Sequence, residues 1–292
     1  MLKKPDIYNF DDILYSMSYS ENELTEKNYG LKMKGQLKLL LSEIRFLTEE
    51  VEIQNLKDKH FTFLYIGSGK GYHIPLLINL YDKYDIDWVF FDPSGHCEKL
   101  HECKRLSKKK ITIRDDFFLE QDIKEFKDIE NLLFVSDIRS TESNKDEIVV
   151  TEPTTENLLF DYELQNRIVK ELKPMFSLLK FRMPFPDDWK PEYSFEKPIG
   201  KECLQAFTKP SSTEFRIFLN SVITFEKIEN TLELIKYEER FSWYNRIYRI
   251  VNNNDLNIAH YIFSKYYETE LPDKKIKRKD IVNFLKTIQK SY

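Results

Sequence analysis

Hydrophobic positions change their period several times along the chain. Over residues 33–49, Leu37, Leu40, Leu41, Ile44 and Leu47 recur every three or four positions, which predicts an amphipathic helix with one buried stripe. Short apolar runs follow: TFLYI at 62–66, DWVFFD at 87–92, ITIRD at 111–115, LLFVSD at 132–137 and LLKFRMPF at 178–185. Each reads as a buried strand. A helical stretch is expected from about His73 to Tyr81. A longer amphipathic helix is expected over 156–173, with Leu158, Tyr162, Leu164 and Val169 roughly along one face. Strands alternating with helices imply an α/β fold: a mostly parallel sheet, buried on both faces by helices.

The pattern then shifts. TEFRIFLN and SVITFEKI, over 213–228, stand in tandem about Asn220-Ser221 and predict an antiparallel hairpin at one sheet edge. From 237 the chain reads as helical, with a charged break, LPDKKIKRKD at 271–280, before a last short helix. There is no internal repeat and no Gly/Ser linker. A single domain is therefore expected over 1–292: an N-terminal segment and helix to residue 50, an α/β core over 51–236 and a helical extension over 237–292.

Composition narrows the function classes. With 41% hydrophobic and 14% aromatic residues the chain can bury a core, which excludes wholesale disorder. No apolar run approaches the roughly 18 residues of a bilayer span, and the N-terminus shows no apolar secretory core. Cys97, Cys103 and Cys203 are too few for a disulfide framework and fit a reducing compartment. A net charge of −4 excludes a general polycation but leaves room for a local basic groove.

Ligands on open α/β sheets bind beyond the carboxyl ends of the strands. Those ends carry Gly67-Ser68-Gly69-Lys70-Gly71, Asp92, Arg114-Asp115 and Asp137, while the fifth strand carries Lys180 within its apolar run. A tight glycine loop lets backbone approach a nucleoside, and a carboxylate ending the second strand can accept two ribose hydroxyls. The spacing is GxGxG, without the GxGxxG of dinucleotide enzymes, which favours S-adenosylmethionine over NAD. Glycines serving only a tight turn remain an alternative. A lysine inside a buried strand must pair with a carboxylate or lose its proton; Asp137 and Glu214 stand where they can supply that pairing. Lys38, beside the apolar stripe of the first helix, reads on sequence alone as a snorkelling surface residue.

The segments GQLKLLLSE (35–43), YIGSGKGYHI (65–74), SDIRS (136–140), LKFRMPFPDDW (179–189) and STEFR (212–216) resemble the poxvirus cap-specific mRNA nucleoside-2′-O-methyltransferase family, whose members also stimulate the viral poly(A) polymerase. The resemblance runs in order from about Tyr19 to about Glu238 and is weakest beyond about residue 250. It implies a Rossmann-like methyltransferase fold, S-adenosylmethionine as cofactor and a Lys38, Asp137, Lys180, Glu214 catalytic tetrad. Lys180 would orient or deprotonate the 2′-hydroxyl, with burial, Lys38 and the sulfonium drawing its pKa down.

By the same resemblance, Gln36, Tyr65, Gly67, Gly71, Asp92, Ser94, Asp115 and Asp137 are the cofactor positions, with Asp115 presented to adenine. Two departures stand out: the family presents Ala-Pro where this chain has Gly69-Lys70, and an arginine at Ser94. N7-methylguanine is a flat cation, suited to an aromatic sandwich with carboxylates at its base edge. Matching positions offer Tyr19 and Phe185 as plates and Asp187 and Glu238 as acceptors, although Phe185 on composition alone is a packing residue. Arg139, Arg182 and Ser212 match positions near the first transcribed nucleotides. The implied partners are m7G-capped mRNA and a polymerase catalytic subunit bound as a heterodimer, with no membrane and no DNA requirement, in the virion and host cytoplasm.

Other readings compete with parts of this. A non-catalytic RNA clamp for a polyadenylating partner would not need Lys180 inside an apolar strand. An NAD-dependent dehydrogenase lacks its glycine spacing and catalytic signature. His96, Cys97, His101 and Cys103 lie close in sequence, but their spacing is not a standard zinc pattern, and no metal is expected. The runs KRLSKKK (104–110) and KKIKRK (274–279) read as phosphate-attracting patches or as solvated faces.

Overall fold

The first strand shows how the site is placed. In a computed structural model describing residues 3–19, 35–140, 153–209, 212–272 and 277–291, β1 (His60–Ile66) is buried from its second residue onward. Aromatic and branched side chains fill both faces of this strand. It stops where Gly67 takes a left-handed φ of +75°. A Cβ at that position would lie 2.8 Å from the Asp137 carbonyl carbon and the Ile138 nitrogen, so only glycine lets the two strand ends approach this closely.

Chain order then builds the sheet. α2 (Ile74–Leu80), β2 (Asp85–Phe91), α3 (Glu98–Leu106), β3 (Ile111–Arg114), α4 (Glu120–Phe126) and β4 (Leu132–Ser136) follow, then α5 (Thr155–Leu172) and β5 (Phe176–Arg182). The sheet order is β3-β2-β1-β4-β5 in parallel, continued by β8 (Glu214–Asn220) and β7 (Lys201–Leu204), each antiparallel to its neighbour. Strand order reverses between β1 and β4, the crevice where ligands bind in such sheets. α5 is capped reciprocally by Thr154 and Asn157. It buries Leu158, Tyr162, Ile168 and Val169, and Leu164 packs against the same core.

One expectation fails. The second arm of the proposed 213–228 hairpin leaves the main sheet: β9 (Phe225–Ile228) pairs with β6 (Phe195–Pro198) in a separate two-stranded sheet. β8 is an inner strand between β5 and β7, buried on both faces, so the antiparallel edge is made by β7. The fifth strand also ends at Arg182, leaving Met183 to Phe185 outside it.

The first helix, α1 (Gly35–Arg45), begins the described part of the 33–49 prediction and continues as a wider turn over Phe46–Glu50; residues 33 and 34 lie outside the described residues. α1 packs against α8 (Asn254–Glu270). α6 (Thr231–Trp243) runs through a wide turn into α7 (Arg249–Val251), and α9 (Arg278–Ser291) packs on α8. Residues 274–276 of the second basic run lie outside the described residues. Among the described residues no helix is long and apolar enough to cross a membrane.

Candidate active site

Strand register gathers four charges at the carboxyl end of β5. Lys180 sits directly opposite Arg216 and Arg182 opposite Glu214, so all four share one sheet face. Two cations facing each other are unfavourable unless carboxylates lie between them. Asp137, at the end of β4, supplies one: its Oδ1 is 2.7 Å from Arg216 Nη2 and 3.5 Å from Lys180 Nζ. Glu214 supplies the other, with Oε2 at 3.9 Å from Lys180 and Oε1 in a short ion pair with Lys38 Nζ. The four tetrad residues are therefore together, and Lys180 is only 18% exposed.

The electrostatics follow from this packing. Burial pushes the Asp137 carboxyl up, but Arg216 and Lys180 outweigh it and hold it below its ordinary value. Burial acts likewise on Glu214, and Lys38, Lys180 and Arg216 together hold it far below its ordinary value. Both carboxylates stay charged at neutral pH.

Arg216 was missed by sequence reasoning. It is 2% exposed and reads in TEFRIFLN as the ordinary polar position of an alternating strand. Gln205 was missed too. With its amide nitrogen donating to Glu214 Oε1 at 2.7 Å, its oxygen accepts from Arg216 Nε at 2.6 Å. No local pattern marks that residue.

Two cavities meet at this cluster. One, of about 910 Å³, opens over the glycine turn and is lined by Gln36, Gly67, Asp92, Ser94 and Asp137, with Phe117, Phe118, Leu119 and Phe160 at its apolar side. The other, of about 330 Å³, is lined by Tyr19, Arg139, Arg182, Phe185 and Ser212, among others. Lys38, Lys180 and Glu214 line both. Arg139 also lines both, on the turn after Asp137 that Asp161 holds through the Ser140 backbone and hydroxyl.

Asp92 Oδ2 accepts from Gly69 N at 2.6 Å and Oδ1 from Ser94 N at 2.9 Å, so this carboxylate fixes the loop while facing the cavity. Ser94 turns its hydroxyl onto the same carboxylate. Gly71, at φ +63°, forms the turn and is not in the cavity wall. Tyr65 is buried beneath the site, its phenol pushed well up by burial and by the neighbouring Glu43.

Asp115 does not face the larger cavity either. It binds the His96 backbone at 3.1 Å and Nδ1 at 2.6 Å, while Asp116 lines the wall. His96 Nε2 meets Ser68 Oγ at 2.7 Å, so both ring nitrogens have partners. Among the described residues no cluster of three or more metal-ligating side chains occurs. In the first basic run, Lys109 and Lys110 are spent on the Tyr84 carbonyl and Asp87.

Around the smaller cavity, the Arg182 guanidinium lies 5.2 Å from the Phe185 ring centroid. Asp187 and Glu238 are not among its lining residues. Asp187 lies in a single turn, Pro186–Asp188, that packs on α6. Burial, then Asp187 and Glu239, push the Glu238 carboxyl up.

A mostly parallel sheet with a glycine turn after its first strand, carboxylates ending its second and fourth strands and an antiparallel edge defines a Rossmann-like methyltransferase fold. The chain belongs to the family described as "Poly A polymerase regulatory subunit", whose model matches residues 1–290. It is 33% identical over 253 residues to the cap-specific mRNA (nucleoside-2′-O-)-methyltransferase of Fowlpox virus (strain NVSL), covering 84% of this chain and 76% of that protein. To the protein of the same description from Myxoma virus (strain Lausanne) it is 33% identical over 276 residues, covering 91% and 77%.

Proposed function

We propose that this chain transfers the methyl group of S-adenosylmethionine to the ribose 2′-hydroxyl of the first transcribed nucleotide of m7G-capped mRNA. The observation that supports this most is the junction itself. Lys38, Lys180 and Glu214 line two cavities at once, so a donor in one and an acceptor in the other would meet at the Lys180 amine. In-line transfer needs that arrangement, with acceptor oxygen, methyl carbon and sulfur aligned.

The larger cavity fits the donor. Its volume lies within the range of roughly 300–1,000 Å³ usual for small-molecule sites. The backbone at Gly67 is bare where a Cβ would collide with the β4 end. Asp92 Oδ2, with one lone pair left beside the Gly69 N–H, would take a ribose hydroxyl, while its Oδ1 already accepts from the Ser94 N–H and hydroxyl. Phe117, Leu119 and Phe160 would flank a flat apolar ring. The bound donor supplies an electrophilic methyl on a sulfonium.

The protein's own residues do the rest. Lys180, as the neutral amine, orients the 2′-hydroxyl and takes up its proton on the nitrogen lone pair as the oxygen–methyl bond forms and the carbon–sulfur bond breaks. Asp137 and Glu214 fix that amine, and Arg216 fixes Asp137. Tyr19 and Phe185 in the smaller cavity would hold N7-methylguanine, and Arg139, Arg182 and Ser212 would track the RNA; the resemblance alone supports Asp187 and Glu238, outside that cavity's wall, as acceptors for its N–H groups. The family description supports a second role in the same chain, as the stimulatory subunit of a poly(A) polymerase bound as a heterodimer. The resemblance further supports a place in the virion and host cytoplasm.

The test is a transfer assay with methyl-labelled S-adenosylmethionine. Label should enter m7G-capped RNA at the first nucleotide's 2′-oxygen and not uncapped RNA. No incorporation into capped RNA would overturn the reading.

A further inference from the structure

Behind the larger cavity lies a chain of buried polar groups that the tetrad does not use. His73, 0% exposed, caps the start of α2 directly after the glycine turn. Its Nε2 meets Glu43 Oε1 at 2.8 Å and its Nδ1 meets Gln36 Oε1 at 2.7 Å. Gln36 and Glu43 are seven residues apart on α1, two turns along one face. The imidazole spans that interval. Glu43 is 1% exposed, so this is a buried carboxylate held by one ring nitrogen.

The backbone decides which end of the Gln36 amide points where. The His73 backbone N–H also donates to Gln36 Oε1, at 3.3 Å. A backbone N–H needs an acceptor, so the side-chain oxygen must face His73 and the amide nitrogen must face away. Gln36 is itself in the cavity wall, beside Lys38 and Gly67.

We infer that Glu43 and His73 form a positioning relay that fixes Gln36 with its amide N–H groups turned into the cavity, where they donate to the amino-acid carboxylate of the methyl donor. The inference rests on the reading of that cavity as the donor site. His73 touches no substrate; it acts through Gln36. An unheld glutamine would rotate about its last torsion and offer oxygen or nitrogen at random. The relay removes that choice and would favour donors carrying a carboxylate.

Calorimetric titration of the full chain tests this with two probes. S-adenosylhomocysteine carries the amino-acid portion, and 5′-methylthioadenosine lacks it. In His73→Ala, binding of S-adenosylhomocysteine should weaken about 10- to 100-fold, the worth of a hydrogen bond to a charged group. Binding of 5′-methylthioadenosine should stay within about twofold. Gln36→Ala should behave alike, and the double variant no worse than either single one, since both remove one contact.

Gln36→Glu, on the cavity wall, covers the case in which His73→Ala does not fold. Its carboxylate should repel S-adenosylhomocysteine and spare 5′-methylthioadenosine. Equal losses for both probes would reduce the relay to plain structure and overturn the inference, as would unchanged S-adenosylhomocysteine binding. If the wild-type chain binds neither probe, the donor-site reading falls and the relay with it. If it binds both and the variants are indifferent, only the relay falls.

Discussion

Replacing Arg216 with methionine probes the charge cluster from its most buried member. The guanidinium holds Asp137 at 2.7 Å and lies 3.8 Å from Glu214 Oε1. Removing one partner of a buried ion pair costs about 3–5 kcal/mol when the other is left alone. Here Asp137 keeps Lys180 at 3.5 Å and Glu214 keeps Lys38, so neither carboxylate is stranded. What goes is the charge-assisted hydrogen bond to Asp137, about 1.5–3 kcal/mol, and the one to the Gln205 oxygen, which keeps Ser42, while methionine refills most of the volume. Arg216→Met should therefore lose about 3–5 kcal/mol of unfolding free energy at pH 7, read as a lower denaturant midpoint with an unchanged slope.

The sign of the pH dependence follows from the lowered carboxyls. A group whose folded pKa is depressed contributes stability above its unfolded value and loses it as pH falls through the folded value. Asp137 and Glu214 are both depressed, and Arg216 contributes to each depression. The gap between wild type and variant should be full above the ordinary carboxylate range and shrink as pH drops below it. A gap that is absent at pH 7, or that persists unchanged into acid, would refute the cluster's charge ledger.

Two further outcomes bear on the cap site. Phe185→Ala should lose about 3- to 30-fold of the preference for a methylated over an unmethylated cap analogue, the worth of a cation–π plate, in a fluorescence-quenching titration; unaltered preference would remove the sandwich. Burial, Asp187 and Glu239 place the Glu238 carboxyl above the ordinary glutamate value of 4.5, so it loses its charge earlier on acidification. Methylated-cap binding should start to weaken above that pH, and Glu238→Gln should remove that inflection and bind weakly already at pH 7. An inflection retained in the variant would assign it to another group.

Much of the core was legible because burial on both faces leaves a plain signature. TFLYI, DWVFF and LLFVS are short apolar runs ended by glycine or aspartate, and those ends carry the site. β6 and β7 were not legible: FEKP and KECL are four residues long and half charged, and they form strands only through their partners. The same blindness produced the false hairpin. Two adjacent strand-like runs say nothing about pairing, and β9 finds β6, thirty residues earlier, while β8 inserts beside β5.

At the site, Lys180 stood out because a lysine within an apolar strand demands an explanation. Arg216 did not, because an arginine in an alternating strand looks solvent-facing until Asp137, Glu214 and Gln205 close around it. The His96 hold on Asp115 likewise joins two loops through tertiary contact, which no spacing records.

Methyl transfer by this chain depends on the Lys180 amine at the junction of the two cavities. Single-turnover transfer of labelled methyl to m7G-capped RNA by Lys180→Ala, beside its affinities for cap analogue and S-adenosylhomocysteine, tests that directly. Transfer should fall about 100-fold or more, the worth of a positioned proton acceptor, while both affinities hold. Transfer near the wild-type rate would contradict the claim.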